Sequence, residues 1–315
     1  MLNFSSVKAL VIGDVILDHY VLGKVERISP EAPVPVVHVS EERFVLGGSA
    51  NVGHNLAKLG TDITLLGAVG KDESFRVLKN LCSDIAIKFN YIESASPTIR
   101  KTRIIGNQQQ IVRIDWEEKF SQHRKAVNHV AKEFEENDYN VIILSDYGKG
   151  LASDSVCKKV ISLSNEKNIP LIIDPKGTNW SRYWSGWMVT PNLNELAAVA
   201  GERLPNTDEA VAEAGTKVRK KHKIKNLLVT RSEKGISLIN DDGVFHFNPT
   251  EKIEVYDVSG AGDTVVAVMA AAVASGLPLN KAVELCNLAG GFVVRKFGTY
   301  AISIDELRSV AEGKV

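Results

Sequence analysis

Val7-Lys8-Ala9-Leu10-Val11-Ile12-Gly13-Asp14 is an almost unbroken apolar run that stops at a glycine and a carboxylate. A strand wetted on one face alternates polar with apolar residues, whereas one covered on both faces has no need to. The run therefore predicts a buried strand, Val7 to Ile12, in a parallel sheet. Ile63 to Leu66, Val141 to Leu144, Leu171 to Ile173, Met188 to Thr190 and Leu227 to Thr230 read the same way. Between these runs, Ala50 to Leu59, Glu73 to Cys82, Arg124 to Glu136, Asp154 to Lys167, Asp208 to His222 and Lys281 to Lys296 carry helical spacing. The alternation predicts an α/β fold: a doubly wound, mostly parallel sheet flanked by helices. Ligands of such sheets gather at the carboxyl ends of the strands, which makes Asp14 and Asp18 candidate binding residues.

Two segments break the rhythm. Val34 to Phe44 and Thr98 to Asp115 alternate polar with apolar residues, and the second contains a turn-like Gly106-Asn107. They predict antiparallel strands with one solvated face, a small inserted sheet serving as a lid, with strands at about 34–45 and 98–115. Flat strands with open edges invite pairing, so a homodimer joined through the lid is expected. The sequence shows neither an internal repeat nor a low-complexity linker, and a single domain over 1–315 is expected.

With 315 residues, 44% of them hydrophobic, the chain can bury a large core. Its 38 basic and 38 acidic residues cancel, so no overall field favours nucleic acid or an anionic membrane, and any anion must be handled locally. Cys82, Cys157 and Cys286 are far apart and lack metal-ligand spacing, as expected of reduced thiols in a cytoplasmic protein. No charged-then-apolar leader opens the chain, and no apolar run approaches the roughly 20 residues that span a bilayer. A soluble protein without membrane or nucleic-acid partners is the expectation.

Asp257-Val258-Ser259-Gly260-Ala261-Gly262-Asp263-Thr264 carries the chemistry, followed by a small-residue helical stretch from Val265 to Ala274. Gly260, Ala261 and Gly262 have so little side chain that their amides can approach an anion where a helix begins. Asp263 falls in the first turn, placed to accept a proton from an incoming hydroxyl. By itself the string is equally compatible with a glycine-rich turn and an aspartate suited to a helix N-terminus.

This stretch resembles the C-terminal signature of the ribokinase family, also called the phosphofructokinase-B (PfkB) family of carbohydrate kinases. The resemblance implies a ribokinase-like ATP-dependent kinase, with Asp263 as catalytic base and Gly260, Ala261 and Gly262 as an anion hole. Gly47-Gly48-Ser49-Ala50-Asn51 resembles the family's sugar-binding element, which implies substrate contacts for Gly47, Gly48 and Asn51, with Asp14 and Asp18 accepting from sugar hydroxyls. Thr190-Pro191-Asn192-Leu193-Asn194-Glu195 resembles the family's Asn-x-x-Glu segment near the triphosphate and the Mg²⁺ water shell. It implies nucleotide contacts for Asn192, Leu193, Asn194 and Glu195, with Glu195 reaching the metal through water. Read without the family, Asn192 and Glu195 make a variant of the capping box. Thr230, Ser232 and Gly235 resemble the nucleotide loop, Asn287 falls on the helix that borders adenine, and a monovalent cation such as K⁺ is implied near Asp257.

The resemblance covers essentially the whole chain. Arg27 to Val36, Asn107-Gln108-Gln109, Ser145 to Gly150 and Asp174-Pro175-Lys176-Gly177-Thr178 resemble one branch, the D-glycero-β-D-manno-heptose 7-phosphate kinases of ADP-heptose and lipopolysaccharide core biosynthesis. This implies phosphoryl transfer to the anomeric 1-hydroxyl. Lys176, Lys101, Arg103 and Arg113 are the basic residues available for the 7-phosphate, and Asn107 at the lid turn either touches a sugar hydroxyl or simply suits the turn conformation. The His-x-Gly-His string of the fused adenylyltransferase is absent from this sequence, so a separate adenylyltransferase acting downstream is expected. The alternatives are a kinase of the same family for another sugar, sugar phosphate or nucleoside, and a non-catalytic sensor on the same scaffold. A P-loop kinase is disfavoured, because Gly-x-x-x-x-Gly-Lys-Ser/Thr is missing.

Overall fold

In the computed structural model, which describes residues 2–249, 255–296 and 298–313, strand β1 (Lys8–Gly13) lies between β4 (Asp62–Val69) and β8 (Val141–Ser145), parallel to both. Its side chains alternate between two cores. Ala9 and Val11 join one apolar cluster, Leu10 and Ile12 the other, and all four are fully buried. This is why the run needs no polar alternation. Among the described residues the sheet has nine strands in the order β13-β12-β11-β10-β9-β8-β1-β4-β5. Here β5 is Lys88–Glu93, β9 Leu171–Asp174, β10 Met188–Val189, β11 Asn226–Thr230, β12 Ile236–Ile239 and β13 Val244–Phe247.

Helices α1 (Ser49–Lys58), α2 (Glu73–Asp84), α7 (Ala261–Ala274), α8 (Leu279–Val293) and α9 (Ile304–Ala311) cover one face. Helices α3 (His123–Glu136), α4 (Asp154–Glu166), α5 (Leu193–Ala200) and α6 (Asp208–Lys221) cover the other. The expected doubly wound architecture is thus observed, with β12 and β13 added antiparallel at one edge. Helix α7 is buried continuously from Asp263 to Ala272. Its alanines and valines leave no polar face, and such a helix is stable only inside a protein.

The lid is a four-stranded sheet in the order β3-β2-β6-β7, with β2 at Val15–Ile28, β3 at Pro35–Gly48, β6 at Arg100–Gly106 and β7 at Gln109–Trp116. The expectation of purely antiparallel strands is corrected: β2 runs parallel to β6, and only β2–β3 and β6–β7 are antiparallel. The difference arises at Asp14, the one residue between β1 and β2. The chain leaves the main sheet there and continues straight into the lid. Every residue of β7 is exposed, including Ile111, Val112, Ile114 and Trp116. Among the described residues, no helix is long and apolar enough to cross a membrane.

Candidate active site

Asp263 sits in the first turn of α7 with only 7% of its surface exposed. Gly260, the N-cap, has φ 79°, a left-handed conformation costly for any residue with a Cβ. That conformation turns the chain abruptly into the helix and brings the amides of 260–262 to its positive end. The Tyr147 hydroxyl donates to Oδ1 of Asp263 over 2.5 Å, and the Asn51 amide donates to Oδ2 over 2.6 Å. A second bond, from Thr264 Oγ1 to Asn55 Oδ1 at 2.8 Å, ties α7 to α1.

Burial pushes the Asp263 carboxyl up to about 6, against the pull of the Tyr147 and Asn51 hydrogen bonds, with the nearby Asp18 charge adding to the rise. A group with that affinity is ionised at neutral pH and can still take a proton. Asp263, Tyr147, Gly260 and Gly262 line a cavity of about 200 Å³. Beside the carboxylate, Asn51 Oδ1 is buried with no hydrogen-bond partner among the described residues, leaving an acceptor for a ligand hydroxyl.

On the lid side, Gly47 and Gly48 end β3. A Cβ on Gly47 would come within 2.1 Å of Asp18 Oδ2, so only glycine lets β3 lie this close to that carboxylate. Asp18 accepts from Arg103 Nη1 at 2.5 Å, and Asp18, Gly47, Asn51 and Arg103 therefore belong to one neighbourhood with Asp263.

Two residues expected on this side are engaged within the chain. The oxygens of Asp14 are occupied by three backbone amides, those of Tyr147 (3.0 Å), Lys149 (2.9 Å) and Leu151 (3.0 Å). Asp14 thus pins the loop after β8. Asn107 is at the far turn of the lid, with φ 51°. Its side chain accepts from the Val25 amide and donates to the Val25 carbonyl, which closes the turn onto β2.

On the opposite side, Asn192 caps α5. Its side chain accepts from the Glu195 amide and Glu195 accepts from the Asn192 amide, a complete capping box. Asn192, Glu195, Thr190 and Thr230 line the Asp263 cavity, whereas Leu193 and Asn194 fall in the first helical turn outside its lining. Lys176, expected at the 7-phosphate, pairs its ammonium with Glu195 at 3.1 Å. Ser232 and Gly235 follow β11, and Gly235 lies against Asn287 of α8, whose Oδ1 would be 2.9 Å from a Cβ placed there. Neither Gly235 nor Asn287 reaches the cavity lining.

Sequence reasoning assigns no site role to Tyr147 or Asp174, although both fall within the branch-like strings Ser145 to Gly150 and Asp174 to Thr178. Asp174 lines the same cavity. Burial raises its proton affinity strongly, the Asp263 and Glu195 charges raise it further, and Lys176 opposes them. Asp174 and Glu195 both line the cavity, and such a pair of carboxylates suits a hard cation that keeps most of its water and takes its remaining ligands from phosphates. Among the described residues, no three His, Cys, Asp or Glu side chains come together to enclose a metal. Asp257 accepts from the amides of Ser259 (2.9 Å) and Gly298 (3.0 Å), which bring its carboxyl below the usual range although burial pushes it up.

The pfkB family carbohydrate kinase profile matches residues 7–306. The chain is 44% identical over 313 residues to the bifunctional protein HldE of Histophilus somni (strain 129Pt). It is 42% identical over 314 residues to the bifunctional protein HldE of Haemophilus influenzae (strain ATCC 51907). Each alignment takes in 99% of this chain and 65% of the relative, so the chain spans just under two thirds of those proteins. In fold it resembles phosphofructokinase-2 from Escherichia coli in complex with potassium, with a TM-score of 0.80 at 20% identity over 100% of this chain and 99% of that one. It also resembles Arabidopsis thaliana ribokinase complexed with ribose and ATP, with a TM-score of 0.71 at 20% identity over 96% and 97%.

Proposed function

Because the chain belongs to the pfkB family of carbohydrate kinases, phosphotransferases acting on an alcohol group, we propose that it moves the γ-phosphoryl group of ATP to the anomeric 1-hydroxyl of D-glycero-β-D-manno-heptose 7-phosphate, giving the 1,7-bisphosphate. The observation that carries this reading is Asp263, a buried carboxylate with a proton affinity near 6, gripped by Tyr147 and Asn51 where α7 opens onto the cavity. The relatives named HldE and the branch-like strings around Tyr147 and Lys176 support the heptose in particular.

In this mechanism Asp263 takes the hydroxyl proton as the oxygen attacks phosphorus. Tyr147 and Asn51 fix the carboxylate on both sides, so little reorientation is left for the transition state. The amides at 260–262 and the α7 dipole stabilise charge developing on the transferring phosphoryl group. Asp18 and Asn51 orient the sugar, and the lid keeps water from competing with it. Bound Mg²⁺ would neutralise charge on the phosphates, its water shell held by Glu195 and Asp174. A K⁺ ion beside Asp257 fits the same reading.

The test is to incubate protein, ATP, magnesium and heptose 7-phosphate and to identify the product by ³¹P NMR. A new anomeric phosphate is expected, with at least about a 100-fold loss of kcat in Asp263→Asn. Near-normal turnover in that variant, or phosphate found on another oxygen, would overturn the reading.

A further inference from the structure

The loop after β8 runs Tyr147-Gly148-Lys149-Gly150-Leu151. Gly148 and Gly150 stand in the left-handed region, at φ 71° and 107°, and a Cβ on Gly150 would come within 2.5 Å of the Phe120 carbonyl oxygen. Their curl turns the amides of residues 147, 149 and 151 inward onto the carboxylate of Asp14, which is 3% exposed. Three converging N–H donors call for a group that only accepts, which an ionised aspartate is and an asparagine is not.

Asp14 also supports the other grip on Asp263. Its carbonyl accepts from the Ser49 amide (3.0 Å) at the start of α1, two residues before Asn51. One residue, at the exit from the main sheet into the lid, thus underlies both side chains that hold the carboxylate.

The chain returns from the lid across 117–122, and there it fastens to the same loop. Glu117, next after β7, accepts from Lys149 Nζ at 2.6 Å and from Lys101 Nζ of β6 at 3.1 Å. The Phe120 amide donates to the Lys149 carbonyl over 2.8 Å. The Lys149 hydrogen bond brings the Glu117 carboxyl below its usual range. The Lys149 and Glu117 side chains are 21% and 32% exposed, so water and salt screen the pair only in part.

We propose that Asp14 and the Glu117–Lys149 pair are positioning residues for the base: together they fix the loop that presents the Tyr147 hydroxyl to Asp263, so that the seating of the lid decides how firmly that carboxylate is gripped. The proposal rests on the reading of Asp263 as the base, and adds residues outside the cavity lining that hold it ready. The titratable groups acting on Asp263 are Tyr147 of the loop, Asp18 of β2 and Asp174 of β9, while Asp14 has Asp146 as its acidic neighbour. Loosening the loop weakens the Tyr147 bond, which favours the ionised form of Asp263. Merely deleting the negative charge of Asp14 or Glu117 would act the other way and favour that form.

Carbon-13 NMR of the full chain, labelled at the aspartate side-chain carboxyls and free of ATP and sugar, tests this. The Asp263 signal is the one that disappears in Asp263→Asn, and in the wild type it is expected to titrate at about 6. Asp14→Asn and Glu117→Gln should each raise that midpoint by about 0.5 to 1 unit, part of what a full hydrogen bond to a charged group contributes. In the Tyr147→Phe background neither should raise it further, because the bond through which they act is already gone. Glu117→Gln, at the surface of the lid, carries the test if Asp14→Asn folds poorly, which its thermal midpoint would reveal. An unmoved or lowered midpoint in a folded variant, or a rise that persists undiminished beside Tyr147→Phe, would overturn the proposal. Because no substrate is present, the outcome is separate from phosphoryl transfer. Transfer with an unmoved midpoint in the variants would sink the positioning role alone, whereas a raised midpoint in a protein that transfers nothing would sink the kinase reading alone.

Discussion

The Tyr147 hydroxyl donates to Oδ1 of Asp263 across 2.5 Å, although 116 residues separate the two in the chain. This bond holds the carboxylate in its ionised form. Replacing Tyr147 with Phe removes a hydrogen bond to a charged group, which is ordinarily worth about 1.5–3 kcal/mol, or roughly one to two pKa units. The acid limb of kcat/KM, set near pH 6 by Asp263, should move upward by that amount in Tyr147→Phe, and the rates should converge at alkaline pH. A uniform loss of rate with the limb unmoved would mean that Tyr147 only shapes the cavity.

The raised affinity of Asp263 also has a sign for stability. The folded protein holds this proton more tightly than the unfolded chain does. The group therefore favours folding below the ordinary 3.8, and the benefit is lost as the pH rises through about 6. At pH 8 the wild type carries a buried charge that Asp263→Asn lacks. The variant, inactive as it should be, is expected to match or exceed the wild-type thermal midpoint at pH 8 and to lose that advantage at pH 4. A rise from 3.8 to about 6 corresponds to at most about 3 kcal/mol. Parallel stability curves for the two proteins from pH 4 to 8 would refute this.

Gly47 and Asp18 make a steric prediction. A methyl at Gly47 would stand 2.1 Å from Asp18 Oδ2, so Gly47→Ala must push that carboxylate aside. If ATP binds beside Asn192 and Glu195 as proposed, the KM for the sugar should rise by about tenfold or more while the KM for ATP stays within about twofold. Equal rises in both would show that the substitution disturbs the whole site.

The outer lid strand exposes Val112 and Ile114 on the face opposite Arg113. An exposed apolar edge strand is a template for pairing, so the protein should sediment as a dimer. Val112→Asp with Ile114→Asp should shift it toward the monomer. A wild-type monomer at micromolar concentration would exclude the lid as an association surface.

The inner strands of the main sheet were legible because burial on both faces leaves a continuous apolar signature, as in Ala9 to Ile12. Strand β2 was not. After Leu17 its residues Asp18, His19 and Tyr20 look like a polar loop, and each acquires a partner only from β3 or β6. Strands β12 and β13, at four residues each, were too short to show a period. The Asp263 turn was readable because its signal is local: small residues, then a carboxylate, then an apolar helix. Asp14 and Asp18 were indistinguishable as letters, each a carboxylate at the end of an apolar run.

The sequence by itself therefore determined the covered strands, the helices between them and the helix start that carries Asp263. Each of these depends on the order of residues within one segment, where backbone geometry and burial act directly. Only the tertiary structure decided that Asp14 holds the loop after β8 and that Tyr147 and Asn51 grip Asp263. Those pairings depend on strand order and register, and a hydrogen bond is made or lost within less than an ångström that no local spacing specifies.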